Sequence, residues 1–246
     1  MTGAGNARAC GFGALAVDYH RLRPGPPAEA VDWLVADGKN AVELGAGTGH
    51  FTSQLFGKVP EVFAVEPDPR MRVVLTDNCP AVRLLDGSAE RIPLPDDSVD
   101  AVYAMNAWHW FDPEAACAEI ARVLRPGGRL GVLWNSPDRS AAWTAELFAP
   151  IEAHQPGREP GRFEVPAGLP FTPPELRRLR WTTELRPADA VGLIGTYSAV
   201  LALPEADRAR VDERSRAVLS DRAERLGTDT VALPYVSTCF RTTLSG

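Results

Sequence analysis

Apolar and polar positions alternate in blocks through the first half of the chain. Ala41–Leu44, Val62–Val65, Val82–Leu85, Val99–Met105 and Arg129–Trp134 are short, mostly apolar runs bounded by Gly, Pro or Asp. That is the pattern of strands buried on both faces. Between them, Phe51–Phe56, Pro69–Asp77 and Pro113–Leu124 read as helices. Asp112 is placed to cap the last of these, and Pro126-Gly127-Gly128 to stop it. Ahead of this series, Pro26-Pro27 opens a helix over Ala28–Ala36. The strand-helix alternation predicts an α/β fold, a doubly wound parallel sheet with helices on both faces.

The remainder is less regular. Residues 137–175 are rich in Pro and Gly and poorly periodic, with one helix near Trp143–Ile151, and predict a lid or insert. Beyond them a strand is expected at Leu179–Leu185, helices at Ala188–Leu201 and Glu205–Arg225, and a strand at Val231–Phe240. Residues 1–11 are small and polar and are expected to be disordered. The predicted organisation is one domain over 1–246. It comprises a helical arm (12–38), a ligand-binding core (39–136), the lid (137–175) and C-terminal strands and helices (176–246).

The sharpest chemical signal is Val42-Glu43-Leu44-Gly45-Ala46-Gly47-Thr48-Gly49. An apolar strand runs straight into three alternate glycines and then a helix. Such a turn permits positive φ and brings backbone close to a ligand at the carboxyl edge of the sheet. Dinucleotide spacing counted from Gly45 needs glycine where His50 stands, and a phosphate loop needs a lysine that Thr48-Gly49-His50 lacks. On the next strand, Glu66 sits at the tip, where a carboxylate can accept hydrogen bonds from both hydroxyls of a ribose.

Charge and cysteine content narrow the partners. The formal net charge is −6. An acidic chain has no electrostatic footprint for a phosphate backbone, so nucleic acid is not the expected partner. Cys10, Cys79, Cys117 and Cys239 are scattered, with no ligand-spaced histidine, so no metal site is expected. No apolar run is long enough for a membrane span. The expected setting is the cytoplasm, as a monomer or homodimer.

The Glu-x-Gly-x-Gly-x-Gly loop resembles the signature of class I S-adenosylmethionine (SAM)-dependent methyltransferases. The likeness extends through "VEPDPRM" (Val65–Met71), "DGSAERIPLPDDSVDAVYA" (Asp86–Ala104) and "EIARVLRPGGRLGVL" (Glu119–Leu133). "DYHRLRPGPP" (Asp18–Pro27) and "AWHWFDP" (Ala107–Pro113) are similar to the small-molecule branch that includes trans-aconitate methyltransferase-like proteins. The resemblance implies a Rossmann-like, seven-stranded sheet whose last strand is antiparallel. It also implies a set of cofactor contacts. Glu43, Gly45, Ala46, Gly47 and Gly49 would form the loop beside the methionine. Glu66 and Pro67 would meet the ribose. Met71, Ser88 and Ala89 would border the adenine. Tyr19 and Arg23 would lie near the methionine end, and Asn106 stands where the branch usually carries Gln.

Methyl transfer from a sulfonium is an in-line displacement, so positioning matters most. A carboxylate acceptor, with a pKa of about 4, needs no base, whereas a phenol near 10 benefits from one. His109 is the one histidine at a strand carboxyl edge, a candidate catalytic base or hydrogen-bond donor; a purely structural role is the alternative. Trp108, Trp110, Trp134 and Tyr197 are candidate walls for a flat or cationic acceptor, while Arg23, Arg158 and Arg162 suit a carboxylate. The expected activity is methyl transfer to O, N or C of a small molecule such as a natural product. Ring closure or other non-methylating chemistry with the same cofactor, a non-catalytic SAM-binding module and a nicotinamide oxidoreductase remain as alternatives.

Overall fold

The computed structural model describes residues 16–35, 37–153 and 162–245. The expected disorder of 1–11, Cys10, Arg158 and the end of the helix predicted to reach Ala36 lie outside them.

Five strands form the first part of the sheet: β1 (Asn40–Leu44), β2 (Glu61–Val65), β3 (Arg83–Leu85), β4 (Val99–Met105) and β5 (Leu124–Pro137). Two more follow, β6 (Glu175–Leu185) and β7 (Val231–Thr243). All seven make one sheet in the order β3-β2-β1-β4-β5-β7-β6. β1 to β5 pair in parallel, while β7 runs antiparallel to both β5 and β6. The sheet therefore reverses its order between β1 and β4, the switch point at which open α/β sheets form their binding crevice.

Strand periodicity divides the core into two layers. On β4, Val102 and Ala104 face one cluster with Ile120, Leu130 and Val132. Ala101, Tyr103 and Met105 face the other, with Val31, Leu34, Phe51 and Leu55. The first cluster is covered by α5 (Pro113–Val123) and the second by α2 (Ala28–Leu34) and the short α3 (Thr52–Leu55). Asp112 caps α5 by accepting from the Glu114 and Ala115 amides, both at 3.1 Å, as its sequence position predicts. Asp68 does the same for α4 (Pro69–Asn78) through the Arg70 amide at 2.9 Å.

The polar residue inside β4 also has a structural reason. Asp100 accepts from the Lys39 and Asn40 amides at 2.6 and 3.1 Å and pairs with Arg125 at 2.6 Å. It ties the start of β1 to Arg125 near the start of β5.

A separate apolar cluster lies at the C-terminal end of the chain. It joins α6 (Ala142–Ala153), α7 (Pro187–Gly195), α8 (Ser198–Leu201) and α9 (Glu205–Leu226) to the start of β7. Leu22 of α1 (Ala16–Leu22) inserts into it. Three sequence expectations change here. The single helix over Ala188–Leu201 is broken between α7 and α8, where Thr196 turns its hydroxyl back onto the Leu193 carbonyl at 2.6 Å. β6 begins at Glu175, earlier than Leu179, because it pairs along β7 as far as Arg241. β5 also continues past Trp134 to Pro137, whereas the helix expected near Trp143–Ile151 is present as α6.

Candidate functional site

The carboxyl ends of β1, β2, β4 and β5 converge on a cavity of about 470 Å³, within the usual range for a small-molecule site. One end is built from the glycine turn. Gly45, Gly47 and Gly49 have φ of 65°, 57° and 92°. A side chain at Gly45 would lie 2.7 Å from the Ala107 Cβ, whereas one at Gly47 would meet no protein atom within 4 Å. Gly45 is thus required by the protein's own packing. Gly47 leaves room on the cavity wall that a side chain would fill.

Glu66 closes this end from β2. Its two carboxylate oxygens accept from the Gly47 amide at 2.8 Å and the Asp68 amide at 2.9 Å. The carboxylate is thereby held at the strand tip while still lining the cavity. Burial pushes its pKa upward, against the pull of those two amides. Pro67, Met71, Ser88 and Ala89 continue the wall, with Met71 on the first turn of α4 and buried.

Glu43, Ala46 and Gly49 lie one layer behind the wall. Glu43 is 1% exposed and accepts a hydrogen bond from the Thr52 hydroxyl. Burial raises its pKa to about 8, with the nearby Glu66 adding to the effect and Thr52 opposing it. Gly49 is packed against Cys79, whose Sγ would lie 2.9 Å from an added Cβ.

The opposite end is aromatic. Asn106 follows β4 with φ 52° and fixes the β4–β5 edge: its amide donates to Leu133 O at 2.8 Å and its Oδ1 accepts from the Asn135 amide at 2.9 Å. A short 3₁₀ turn, Trp108–Trp110, then presents three consecutive predicted residues to the cavity. Trp108 is 5% exposed and packs edge-on against Phe111 and Phe163, so most of its ring belongs to the core. His109 is exposed, and its Nδ1 accepts from the Trp134 indole N–H at 3.3 Å. With that lone pair engaged, a neutral imidazole carries its proton on Nε2.

The N-terminal arm closes the third side. Tyr19 and Arg23 line the cavity together with Tyr197. Burial raises the Tyr19 phenol, with Arg23 opposing. The arm is seated on the glycine loop by a stacked histidine pair: His20 and His50 lie 4.4 Å apart with ring planes 6° from parallel, and His20 Nδ1 is 3.0 Å from Thr48 Oγ1. Burial lowers the His50 pKa to about 4, with His20 and Arg23 contributing, so the pair stays neutral near pH 7. Asn135 adds a further link to the arm, donating to Gly25 O at 3.1 Å.

Sequence reading did not single out Glu90, Met105, Asn135, Ser136, Arg139 or Ile151, which also line the cavity. Asn135 and Ser136 lie one and two residues past Trp134 on the continuation of β5, and that adjacency is a usable signal. Ile151 and Arg139 reach the site through tertiary packing with no local motif. Arg162 lines the cavity while pairing with Glu164 at 2.9 Å. Among the described residues no cluster of three or more His, Cys, Asp or Glu side chains forms a metal site, and no helix is long and apolar enough to cross a membrane.

Comparison with known proteins fixes the family. Residues 42–132 match the Methyltransferase domain family. An uncharacterized methyltransferase of Mycobacterium tuberculosis (strain ATCC 25618 / H37Rv) is 41% identical over 237 residues, covering 95% of this chain and 96% of its own. The chain belongs to the class I SAM-dependent methyltransferases. A methyltransferase-like protein of Schizosaccharomyces pombe, also uncharacterized, is 31% identical with 91% of each chain covered. Among solved structures, a protein of Anaeromyxobacter dehalogenans described as a type II methyltransferase is similar at a TM-score of 0.60 and 25% identity, over 90% of this chain and 97% of that one. The seven-stranded mixed sheet of this methyltransferase and its SAM-dependent activity agree with the expectation from the glycine loop.

Proposed function

We propose that this methyltransferase binds SAM across the glycine turn and Glu66 and transfers its methyl group to a small molecule held between the 3₁₀ turn and α8. One observation carries the reading: the Glu66 carboxylate is fixed at the strand tip by two backbone amides beside an open Gly47 backbone. The residues present fit the cofactor. Glu66 and Pro67 suit the ribose, and Met71, Ser88 and Ala89 the adenine. Gly45, Ala46, Gly47 and Gly49 form the loop beneath the amino-acid chain, with Tyr19, Arg23 and Asn106 at its end. Glu43 lies behind the loop, beneath the methionine ammonium, where a bound cation would favour its ionised form over the protonated form that burial favours. Bound SAM supplies an electrophilic methyl group on a sulfonium.

The protein's own contribution is alignment and exclusion of water. Trp108, Trp110, Trp134 and Tyr197 offer apolar walls to a flat acceptor. His109, held by Trp134 with Nε2 protonated, is read as a hydrogen-bond donor that orients the acceptor, in preference to a base. An acceptor that ionises by itself near neutrality, such as a carboxylate, suits this arrangement.

Titration calorimetry of the protein with S-adenosylhomocysteine tests the cofactor site. Micromolar binding is expected, weakened at least about tenfold by Glu66→Ala, which removes a charged acceptor for two ribose hydroxyls. Equal affinity in the variant would show that the ribose lies elsewhere. Product mass after incubation with SAM and candidate acceptors then separates methyl addition from ring closure.

A further inference from the structure

The break between α7 and α8 places two consecutive side chains against the N-terminal arm. Thr196 Oγ1 donates to Leu193 O at 2.6 Å and accepts from Arg23 Nε at 2.8 Å. With its single proton committed to the carbonyl, the hydroxyl can serve Arg23 only as an acceptor. The Tyr197 ring centre lies 3.6 Å from the Arg23 guanidinium carbon, and the Tyr19 ring centre 5.4 Å from it. Contact that close is within the range of a cation–π interaction. The Tyr197 hydroxyl is buried toward that of Tyr235 and makes no hydrogen bond to Arg23. The ring of Tyr197, and not its hydroxyl, therefore does the holding.

Arg23 lines the cavity, whereas Thr196 is buried behind it. A long arginine side chain left free would lose rotamer freedom when it met a ligand, and fixing it beforehand removes that loss. We infer that Thr196 and Tyr197 are positioning residues that hold the Arg23 guanidinium at the amino-acid end of the cofactor site, so that the C-terminal layer tunes cofactor affinity. The inference rests on the reading above, in which Arg23 faces the methionine end. A continuous helix through this point would have carried both side chains away from their present places. The break is thus the structural feature that brings them to Arg23.

Two ligands separate this role from general support of the fold. S-adenosylhomocysteine carries the amino-acid chain, and 5′-methylthioadenosine presents the same nucleoside without it. Calorimetry on Thr196→Val should show S-adenosylhomocysteine binding weakened about tenfold, the scale of one hydrogen bond to a charged group, with methylthioadenosine unchanged. Thr196→Ser and Tyr197→Phe should bind both as the parent does, while Tyr197→Leu should behave like Thr196→Val. Equal weakening of both ligands in Thr196→Val would overturn the clamp, since only loosening of the whole pocket would do that. Parent-like binding in Thr196→Val and Tyr197→Leu, with Arg23→Ala weakened, would also overturn it and leave the role of Arg23 standing. Unchanged affinity in Arg23→Ala would instead remove the placement of Arg23 at the methionine end.

Discussion

The two halves of the cavity are held together by different kinds of contact. On the glycine-loop side the anchoring bonds are short in sequence: Gly47 to Glu66, Thr52 to Glu43 and Asp68 to Glu66. On the arm side they span 110 residues or more: Arg23 to Thr196, Asn135 to Gly25 and Arg241 to the Trp33 carbonyl. The first half is set by local backbone conformation and tolerates little change. The second depends on packing of distant elements, which can relax around a substitution.

Paired glycine substitutions test that difference with the largest expected effect. Gly45→Ala forces a left-handed residue to carry a Cβ 2.7 Å from Ala107. The backbone term costs about 1–2 kcal/mol and the overpacked contact about 1–3 kcal/mol. A chain of this size melts about 2–4 °C lower for each kcal/mol lost, so a fall of about 5 °C or more is expected, with loss of S-adenosylhomocysteine binding. Gly192→Ala on α7 meets the Leu22 Cδ1 at 2.9 Å, the far end of a flexible side chain, and its φ is not in the left-handed region. It should cost under about 1 kcal/mol. Thermal melting of both variants checks the contrast, and equal losses would end the distinction between a rigid and an adaptable half.

That distinction also explains what the sequence could show. The glycine turn, the Glu66 carboxylate and the Asp112 cap are each determined by residues a few positions away, and alternation of apolar runs reports strands covered on both faces. Those features were legible. The helix break at Thr196 and Tyr197 was not, because Ala188–Leu201 is apolar enough to read as continuous, and the partner that stabilises the break, Arg23, lies in another part of the chain. The same holds for the His20–His50 stack: neither residue carries a local signal, and only the packing of α1 against α4 and α7 brings the arm over the loop. Trp134 was legible as a strand residue, but not as the hydrogen-bond donor to His109.

A pH-dependent effect is expected from the carboxylate beneath the loop. Glu43 has a folded-state pKa of about 8, above the ordinary carboxyl value of about 4.3. Between those two values the folded protein keeps a proton that the unfolded chain releases. The stability it contributes is therefore fully present below the ordinary value and is lost as pH rises toward 8. Each unit of that displacement corresponds to about 1.4 kcal/mol. Glu43→Gln, which keeps the shape of the protonated acid, removes this dependence. Melting curves without ligand should nearly coincide at pH 5, and the variant should become the more stable of the two as pH approaches 8. Parallel curves across that range would show that Glu43 is ionised in the folded protein, and that the loop side is electrostatically less constrained than its burial implies.

The smallest effect falls on the aromatic side, at the link between Trp134 and His109. Trp134→Phe keeps the ring in its edge-on packing with Phe240 and removes only the indole N–H, at a cost of about 1 kcal/mol or less. What should change is the imidazole itself. While the indole donates to Nδ1, neutral His109 is confined to the Nε2–H tautomer and can offer a hydrogen bond but not accept a proton at Nε2. Nitrogen NMR of labelled protein above the histidine's titration should show that single tautomer in the parent and a mixture in Trp134→Phe. If the variant retains one tautomer, some other neighbour sets it, and the acceptor side of the cavity is as tightly specified as the glycine loop.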